Sequence, residues 1–205
     1  MIVNYFQSLL VTIDYDILYL LLKFTLIAIA IFLSYFLLFY GSIIQFLLKE
    51  NFYKFFKNIK NTLFFAFVSS SSSATIPLTL KTAEKNLKIN NQISNFVIPI
   101  GATVNMDGSA IYLGLSAVFV SNLIGLSLSF DEYLLILVTA TIGSIGAAGV
   151  PSVALVMMTV VFTSVGIPVE AISLIVGVDR LLDMFRTALN VAGDLVITKI
   201  VDRFS

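Results

Sequence analysis

Five polar residues near the end of the sequence share one face of a predicted helix. Asp179, Asp183, Arg186, Asn190 and Asp194 fall within an arc of roughly 80° when each residue turns the helix by about 100°. Their neighbours are almost all apolar, and a charged group inside a membrane costs on the order of 2.5–3.5 kcal/mol. A ladder of internal ion pairs is one explanation. However, three carboxylates stand against one arginine, and this excess predicts that the face binds cations.

A second isolated carboxylate, Asp107, lies in the middle of the apolar stretch 93–127, beside Asn105 and Gly108. Glycine permits a helix break, and a break frees backbone carbonyl groups. Hard cations take carboxylate, amide and carbonyl oxygens as ligands. The cluster therefore predicts a cation site, with a simple cap at the helix break as the alternative.

Two loop-forming segments lie between apolar arms. The run Ser69–Ser73 precedes residues 74–77, where a helix could start, and the glycine-rich stretch 143–152 contains Gly149 in the same setting. Free N–H groups at helix N-termini attract carboxylates, so both segments are candidates for anion binding. A flexible linker is the alternative for the serines. The glycine spacing, GxxGxxG, does not match a nucleotide-binding loop.

Composition determines which elements must position these residues. The 205-residue chain is 59% hydrophobic and 12% charged, with a mean hydropathy of +1.01, which predicts an all-α integral membrane protein. Cys and His are both absent, and their absence excludes disulfides, thiolate metal sites and Ser-His-Asp triads. Basic and acidic residues balance at 12 each, so no nucleic-acid partner is expected.

Charged residues divide the apolar sequence into membrane segments. We expect one spanning helix followed by two copies of a re-entrant hairpin plus a crossing helix, which are helix 17–48, hairpin 61–88, broken helix 93–127, hairpin 133–165 and helix 171–200. The hairpin arms are too short to cross, because a spanning helix needs about 20 residues. The two copies, 61–127 and 133–200, would form an inverted repeat, which is typical of secondary transporters.

The distribution of charge predicts the orientation. Lysines flank the first hairpin on both sides, at Lys49, Lys54, Lys57, Lys60, Lys81, Lys85 and Lys88. Positive loops stay in the cytoplasm, so we place this side inside and the acidic loop with Asp131 and Glu132 outside. The C-terminus, with Lys199, then returns to the cytoplasm. We expect a multi-pass protein of the cell (inner) membrane, surrounded by lipid and without a removable signal peptide.

Four motifs occur along the chain: Ser69–Thr79 (SSSSSATIPLT), Asn105–Ser109 (NMDGS), Gly146–Pro151 (GAAGVP) and Asp183–Asp194 (DMFRTALNVAGD). In this order and spacing they resemble the signature motifs of the dicarboxylate/amino acid:cation symporter family, the glutamate/aspartate transporters. The resemblance covers residues 17–205. It implies cation-coupled symport of acidic amino acids or C4-dicarboxylates.

The resemblance also implies roles for individual residues. Arg186 would bind the side-chain carboxylate of the substrate, and Asp183 its amino group. Further substrate-binding residues implied are Asn190, Ser71, Ser72, Ser73, Ser109, Thr187 and Gly149. The sodium ligands implied are Asp194, Asn190, Asn105, Asp107, the Gly101 carbonyl and, through the backbone near the second hairpin tip, Ser144. Sodium ions or protons are the expected co-transported cations, with no bound cofactor.

Three positions depart from the family pattern. Ser109 replaces the usual threonine and keeps its hydroxyl, and Ser70 stands where archaeal-type members carry arginine. Leu113 stands where proton-coupled members carry glutamate, which puts proton coupling through that position in doubt.

Length is the largest departure, because family members have further N-terminal spans that supply most of a trimeric scaffold. We therefore expect two parts. Residues 1–48 would be an N-terminal segment with a scaffold-like helix, similar to the family's fifth span, and residues 49–205 the transport domain. The chain looks like the C-terminal half of a split or truncated transporter. It would act as a homotrimer or with a separate N-terminal half.

Three hypotheses remain open from the sequence. The first is the symporter or its transport domain, and the second is a membrane remnant that inserts without transporting. The third is an intramembrane aspartyl protease, but the GxGD motif is absent, and Arg186 beside Asp183 favours ionised carboxylates over a shared proton. We therefore expect no enzyme. Asp183 favours an amino group on the substrate, but the choice among glutamate, aspartate and other dicarboxylates stays open.

Overall fold

The first helix is long, apolar and irregular. In the computed structural model, which describes residues 15–145 and 149–205, helix α1 runs over Tyr15–Ser34 and continues through two π-helical turns, Tyr35–Tyr40 and Ile43–Leu47. The 31 residues Ile17–Leu47 are long and apolar enough to cross a membrane. This agrees with the predicted helix 17–48, whereas residues 1–14 of the predicted first part lie outside the described residues.

Two helices joined by the serine run follow α1. Helix α2 spans Phe52–Ser69 and helix α3 spans Ser72–Lys85, and they pack against each other. Ser70 turns the chain in the left-handed region, with φ of 51°, and Ser71 caps α3 by accepting a hydrogen bond from the Ala74 N–H at 3.1 Å. The serine run is therefore a structured turn between two helices, as predicted, and not a flexible linker.

The predicted start of this first pair, residue 61, is wrong by nine residues. Asn51 begins α2 by accepting a hydrogen bond from the Lys54 N–H at 3.0 Å, as helix-capping asparagines do. Phe55, Ile59 and Thr62 then recur at helical spacing, and all three are buried. The lysines between them point outward, so a basic stretch that resembled a loop in the sequence is the first part of an amphipathic helix.

The next two helices are separated by a short break. Helix α4 spans Asn91–Val104 and helix α5 spans Asp107–Leu123. Asn105 and Met106 between them are not helical, which confirms the predicted interruption beside Asp107. Together, the 33 residues Asn91–Leu123 form the second stretch that is long and apolar enough to span a membrane.

A second packed pair of helices comes next. Helix α6 spans Phe130–Ile145 and helix α7 spans Val153–Ser164. Ser129 and Glu132 form a capping box at the start of α6, in which the Ser129 N–H donates to Glu132 at 2.6 Å. This backbone hydrogen bond is the main reason that the pKa of Glu132 is lowered. The tip residues 146–148, part of the predicted motif Gly146–Pro151, lie outside the described residues.

The last helix is the centre of the fold. A 3₁₀ turn, Val169–Leu174, precedes helix α8, which spans Val176–Phe204. The helix therefore starts five residues later than the predicted position 171. It packs against α1, α2, α3, α4 and α5, and the five residues of its predicted polar face, Asp179, Asp183, Arg186, Asn190 and Asp194, are all buried. The polar face predicted from the sequence thus lies in the core.

The outer surface of the helices is apolar. Large side chains such as Leu22 and Leu38 of α1, Phe64 of α2 and Phe96 of α4 are exposed, where a soluble protein would carry charges. Over residues 15–145 and 149–205 the secondary structure is helical, without strands. The fold is therefore all-helical, with polar residues in its core and apolar residues on its outside, as expected of a protein in lipid.

Candidate functional site

The buried polar face of α8 begins with a cluster around one arginine. Arg186 is 2% exposed, and its Nε donates to Asp183 Oδ1 at 2.9 Å while its Nη1 donates to Asp179 Oδ1 at 3.2 Å. Its guanidinium also lies over the Tyr112 ring, 4.5 Å from the centroid. We call Asp179, Asp183 and Arg186 the arginine cluster. Two carboxylates share one guanidinium there, so the buried charges are largely compensated.

The arginine cluster keeps unused hydrogen-bonding capacity. Arg186 Nη2 lies 2.9 Å from Asp183 Oδ1, but it is not aligned for a hydrogen bond, and the Nε group makes that bond instead. Among the described residues, Arg186 Nη2, Asp179 Oδ2 and the Tyr112 hydroxyl are buried without a hydrogen-bond partner. Unpaired buried donors are costly. A ligand that accepts a hydrogen bond from the guanidinium would remove part of that cost.

The two loop tips meet at the arginine cluster. Ser71 Oγ donates to the Gly149 carbonyl at 2.7 Å, and the Ser73 N–H donates to the same oxygen at 3.1 Å. The Ser152 N–H, at the start of α7, donates to Asp183 Oδ2 at 2.8 Å. Three hydrogen bonds therefore join the first tip, the second tip and α8.

Only a very small cavity remains between the tips and α8. Its volume is about 10 Å³, and it is lined by Ser70, Ser72, Met106, Ser109, Gly149, Val150, Val153, Asp183, Arg186, Thr187 and Asn190. Such a space holds about one water molecule and no amino acid. Seven of the nine residues predicted to bind substrate line this cavity. The other two, Ser71 and Ser73, close it by donating hydrogen bonds to the Gly149 carbonyl.

A second polar cluster lies two turns further along α8. Asp194 is 2% exposed, and the Asn105 side chain donates to its Oδ1 at 3.0 Å. Gly101 faces the same carboxylate, because a Cβ atom on Gly101 would lie 2.6 Å from Asp194 Oδ1. The Gly101 carbonyl accepts the Asn105 N–H at 2.9 Å. The helix break thus brings the predicted cation ligands Gly101, Asn105 and Asp194 together.

Asp107 joins this cluster through residues that the sequence analysis missed. The Tyr40 hydroxyl donates to Asp107 Oδ2 at 2.5 Å and the Tyr35 hydroxyl donates to it at 3.1 Å. In an α-helix, residues five apart point about 140° away from each other. The wider π turn of Tyr35–Tyr40 brings both hydroxyls to one carboxylate. We call Asp107, Asp194 and Asn105 the carboxylate cluster.

Gly193 makes the approach of Tyr40 possible. A Cβ atom on Gly193 would overlap the Tyr40 hydroxyl and lie 2.6 Å from Asn105 Nδ2. Tyr40 is 1% exposed, so it is a buried part of the cluster rather than an aromatic residue at the membrane surface. Two tyrosines five residues apart in an otherwise apolar segment were the only sequence signal, and that pattern is more common at lipid interfaces.

Asn190 connects the two clusters. Its Oδ1 accepts the Gly108 N–H at 2.7 Å, and its Nδ2 lies 3.4 Å from Ser109 Oγ. The close contact requires glycine at position 108, because a Cβ atom there would lie 2.6 Å from the Arg186 carbonyl. Asn190 therefore binds the broken helix at the point where substrate and cation ligands adjoin.

The carboxylate cluster has no basic partner. Every ion pair among residues 15–145 and 149–205 involves Arg180, Arg186 or Lys199, and none of these reaches Asp107 or Asp194. No group of three Asp, Glu, His or Cys side chains gathers in this part of the chain. A cation bound there would have to take amide, carbonyl or hydroxyl oxygens in addition to the two carboxylates.

One predicted ligand stands apart from both clusters. Ser144 is buried in the last turn of α6, and its hydroxyl donates to the Thr141 carbonyl at 2.8 Å within the same helix. Its proposed partners in the second tip, 146–148, lie outside the described residues. Leu113 is fully buried, so the position where proton-coupled members carry glutamate is an apolar core position in this chain.

The fold and the site together define a class of protein. Broken helices and two helix tips meet at a buried polar site inside an apolar exterior, which is the architecture of secondary transporters. The model of the sodium:dicarboxylate symporter family matches residues 1–204, and the chain belongs to that family. It is therefore a membrane protein of a transporter family and not an enzyme. This confirms the family assignment made from the four motifs.

Three curated relatives illustrate the similarity. The chain is 46% identical over 157 residues to excitatory amino acid transporter 3 of Mus musculus, which covers 77% of this chain and 30% of that protein. It is 45% identical over 157 residues to an excitatory amino acid transporter of Caenorhabditis elegans, and the matched region covers 77% of this chain and 31% of that protein. It is 45% identical over 156 residues to excitatory amino acid transporter 5 of Homo sapiens, and the matched region covers 76% of this chain and 28% of that protein. The chain thus spans less than a third of these relatives.

Proposed function

We propose that this chain forms the substrate- and cation-binding part of a symporter that moves acidic amino acids or C4-dicarboxylates together with sodium. One observation supports this proposal above all others. A buried arginine with an unused donor and the carboxylate Asp194 lie on the same face of α8, Asp107 of the broken helix adds a second carboxylate without a basic partner, and Asn190 joins the two regions. The face of α8 and the adjoining helix break thus offer a site for an anionic substrate and a site for a cation.

On the substrate side, Arg186 is the group that distinguishes acidic substrates from neutral ones. Its planar guanidinium can grip a carboxylate with two parallel hydrogen bonds. In the closed site it is held by Asp179 and Asp183, so no positive charge is left unpaired when substrate is absent. A second carboxylate on the substrate would compete with these two residues for the guanidinium.

The groups that close the site are the groups that would bind the rest of the substrate. Ser71 Oγ and the Ser73 N–H are donors suited to a main-chain carboxylate, and both now serve the Gly149 carbonyl. Asp183 Oδ2 is an acceptor suited to an ammonium group, and it now accepts the Ser152 N–H. Opening the second tip would release all of them at once. We infer that the second tip is the gate and that substrate replaces these bonds.

On the cation side, Asp107 and Asp194 supply the negative charge that attracts sodium. The Asn105 amide group donates to Asp194 Oδ1 and to the Asn190 carbonyl, and the Gly101 carbonyl accepts the Asn105 N–H. Amide and carbonyl oxygens are thus available beside Asp194, and sodium, as a hard cation, takes such oxygen ligands. We favour sodium over protons because the family is one of sodium symporters and because Leu113 has no titratable group. The Ser144 backbone stays a proposal for a further ion.

The membrane arrangement is also part of the proposal. The pairs α2–α3 and α6–α7 would be re-entrant hairpins that enter from opposite sides, with the C-terminus in the cytoplasm and the hairpin-plus-helix units as an inverted repeat. The division into parts 1–48 and 49–205 stays a prediction. Tyr35 and Tyr40 of the first part donate hydrogen bonds to Asp107 of the second. Any movement between the two parts would have to break these bonds.

Equilibrium binding tests the proposal. Labelled L-aspartate is titrated onto the chain in nanodiscs at several sodium concentrations, with potassium at equal ionic strength as the control. If the sites are coupled, sodium and aspartate tighten each other's binding by the same factor. Affinity that follows pH and ignores sodium would instead identify protons as the coupled ion. No binding of aspartate, glutamate or succinate under any of these conditions would contradict the proposal.

Transport requires one bundle to move against another, which a homotrimer or a separate polypeptide with further spans would provide. We expect the 205-residue chain alone to bind substrate but not to transport it across the membrane. This expectation corresponds to the second hypothesis from the sequence, a membrane remnant that inserts without transporting. Sodium-driven uptake of labelled aspartate into proteoliposomes that contain only this chain would contradict that expectation.

A further inference from the structure

A polar cavity lies far from the two clusters, where α1 ends and α2 begins. Its volume is about 440 Å³, and three lysines and three asparagines dominate its lining: Lys49, Lys54, Lys88, Asn51, Asn58 and Asn86. We call it the lysine cavity. Lys49 belongs to the turn after α1, Lys54 to the first turn of α2, and Lys88 to the loop after α3, so three separate segments contribute one lysine each.

The lysine cavity carries an excess of positive charge. Glu50 is the one acidic residue in its lining, and its carboxylate lies 3.7 Å from the Lys199 ammonium group outside the lining. Within residues 15–145 and 149–205, neither Lys49, Lys54 nor Lys88 forms an ion pair. The cavity is therefore suited to an anion.

Local backbone geometry points two of these lysines at the same space. Lys49 and Lys88 have positive φ values of 53° and 57°, a conformation that usually favours glycine. The Asn86 side chain donates to the Asn58 carbonyl at 2.8 Å and thereby ties the loop after α3 to α2. The walls of the cavity are thus fixed relative to each other.

The surroundings of the cavity place it at the edge of the membrane. The apolar span of α1 ends at Leu47, and the neighbouring side chains of Phe46 and Tyr53 are 75% and 74% exposed. Aromatic residues of this kind lie at the level of lipid headgroups. An adjoining cavity of about 510 Å³ shares Lys49, Glu50 and Asn51 with it and is also lined by Phe52 and Tyr53.

We propose that the lysine cavity binds the headgroup of an anionic phospholipid, with Lys49, Lys54 and Lys88 contacting its phosphate. The lipid's acyl chains would follow the exposed aromatic side chains Phe46 and Tyr53 away from the cavity. The site lies at the base of α2, the helix that leads to the serine tip, and is independent of the substrate and cation residues.

Native mass spectrometry of the full chain tests this site directly. The chain is released from nanodiscs that contain dioleoyl phosphatidylglycerol or dioleoyl phosphatidylcholine, and retained lipid is counted. The test variant is Lys49→Gln/Lys54→Gln/Lys88→Gln. The matched control is Lys57→Gln/Lys60→Gln/Lys85→Gln, which removes the same charge from exposed positions on α2 and α3 that do not line the cavity. We expect about a tenfold loss of phosphatidylglycerol in the test variant and little change in the control.

Three outcomes would overturn the proposal. Equal losses in both variants would show a general attraction to a positive surface. Retention of phosphatidylglycerol by the test variant would exclude the cavity. Complete displacement of the lipid by millimolar inorganic phosphate would identify a site for free anions. The variant Lys49→Arg/Lys54→Arg/Lys88→Arg keeps the charge and must retain the lipid, and this result separates loss of the site from loss of the fold.

Discussion

The arginine cluster and the carboxylate cluster lie along the same face of α8, the second of them completed by Asn105 and Asp107 of the broken helix, yet they differ in how their charges are paired. In the arginine cluster, a guanidinium is paired with Asp179 and Asp183 at 3.2 and 2.9 Å. In the carboxylate cluster, Asp107 and Asp194 meet only neutral donors, from Tyr35, Tyr40 and Asn105. In the first cluster, the buried positive charge of Arg186 is paired with two carboxylates even when no ligand is present. The second gathers negative charge that a bound cation would neutralise.

This difference bears on the proposed function, in which two ligands of opposite charge bind side by side. An anionic substrate would have to displace the existing partners of Arg186, so its affinity would depend on how well it replaces them. A cation would displace no positive group, so its affinity would depend on the number of oxygens that the broken helix and Tyr40 hold in place. Asn190 lies between the clusters, so a structural change in one cluster is expected to alter the geometry of the other.

The largest effect is expected from breaking the arginine cluster. Arg186→Ala leaves two buried carboxylates without their partner, and loss of one member of a buried pair costs about 3–5 kcal/mol. We expect binding of aspartate and glutamate to fall by a factor of about 100 or more, while a neutral amino acid such as serine still binds weakly. Titration of each ligand onto the variant measures this.

The matched control is Arg180→Ala. Arg180 lies on the same helix, its side chain is 56% exposed, and its Nη1 is 4.0 Å from Asp183 Oδ2. We expect only a small loss of affinity there, because exposed pairs contribute little. Unchanged aspartate affinity in Arg186→Ala, or an equal loss in both variants, would remove the assigned role of Arg186.

The carboxylate cluster is tested by Asp194→Asn, which removes the charge and keeps the acceptor for Asn105. We expect the sodium dependence of aspartate binding to weaken by about tenfold, the middle of the range for coupled sites. Asp202→Asn, a carboxylate on the same helix outside the cluster, is the control. If both variants show the same sodium titration, Asp194 is not a cation ligand.

Tyr40→Phe sharpens the comparison, because it removes one neutral donor from the carboxylate cluster and none from the arginine cluster. A buried hydrogen bond to a charged group contributes about 1.5–3 kcal/mol. We expect lower sodium affinity with an unchanged preference for acidic over neutral amino acids. Tyr35→Phe is the matched comparison: Tyr35 is less buried and its bond is longer, 3.1 against 2.5 Å, so its effect should be smaller. The reverse order would contradict this account of Asp107.

The smallest expected effect concerns the space beside Tyr40. Gly193→Ala places a Cβ atom against the Tyr40 ring and Asn105, and overpacking costs about 1–3 kcal/mol. Gly177→Ala is the control in the same helix, because nothing lies within 4 Å of its Cβ position. Thermal unfolding in detergent should show a lower midpoint for the first variant and an equal or higher midpoint for the second, since alanine favours helix. Equal midpoints for the two variants would show that Tyr40 can shift away from the added methyl group at position 193 without loss of stability.

The comparison also shows which parts of the site the sequence could predict. Asp183, Arg186, Asn190 and Asp194 are close in sequence and on one helix, so their periodicity alone predicted that they lie together. Asn105 and Asp107 were recognisable as a helix break. Tyr40 was not recognisable as part of the site, because its partner Asp107 is 67 residues away in the sequence. The π turn that brings the two together is also a departure from regular helix geometry. Local pattern predicts neighbours within a helix but not contacts between distant helices.

The same limit explains the errors in the element boundaries. Residues 49–60 contain four lysines and resembled a loop, but the buried positions Phe55 and Ile59 continue the helix. Burial of one face against α8 outweighs the charge on the other face. The start of α8 was likewise placed too early, because the apolar residues before Val176 form a 3₁₀ turn.

The central position of α8 has a consequence for how the protein is made. Residues 176–204 follow every other described helix in the sequence, so they are synthesised after all of them. Until they have been made, the helices that pack against α8 lack the partner for their inner faces. A chain that stops before residue 176 would therefore expose the polar inner surfaces of these helices, and such incompletely packed species are prone to misfold and aggregate.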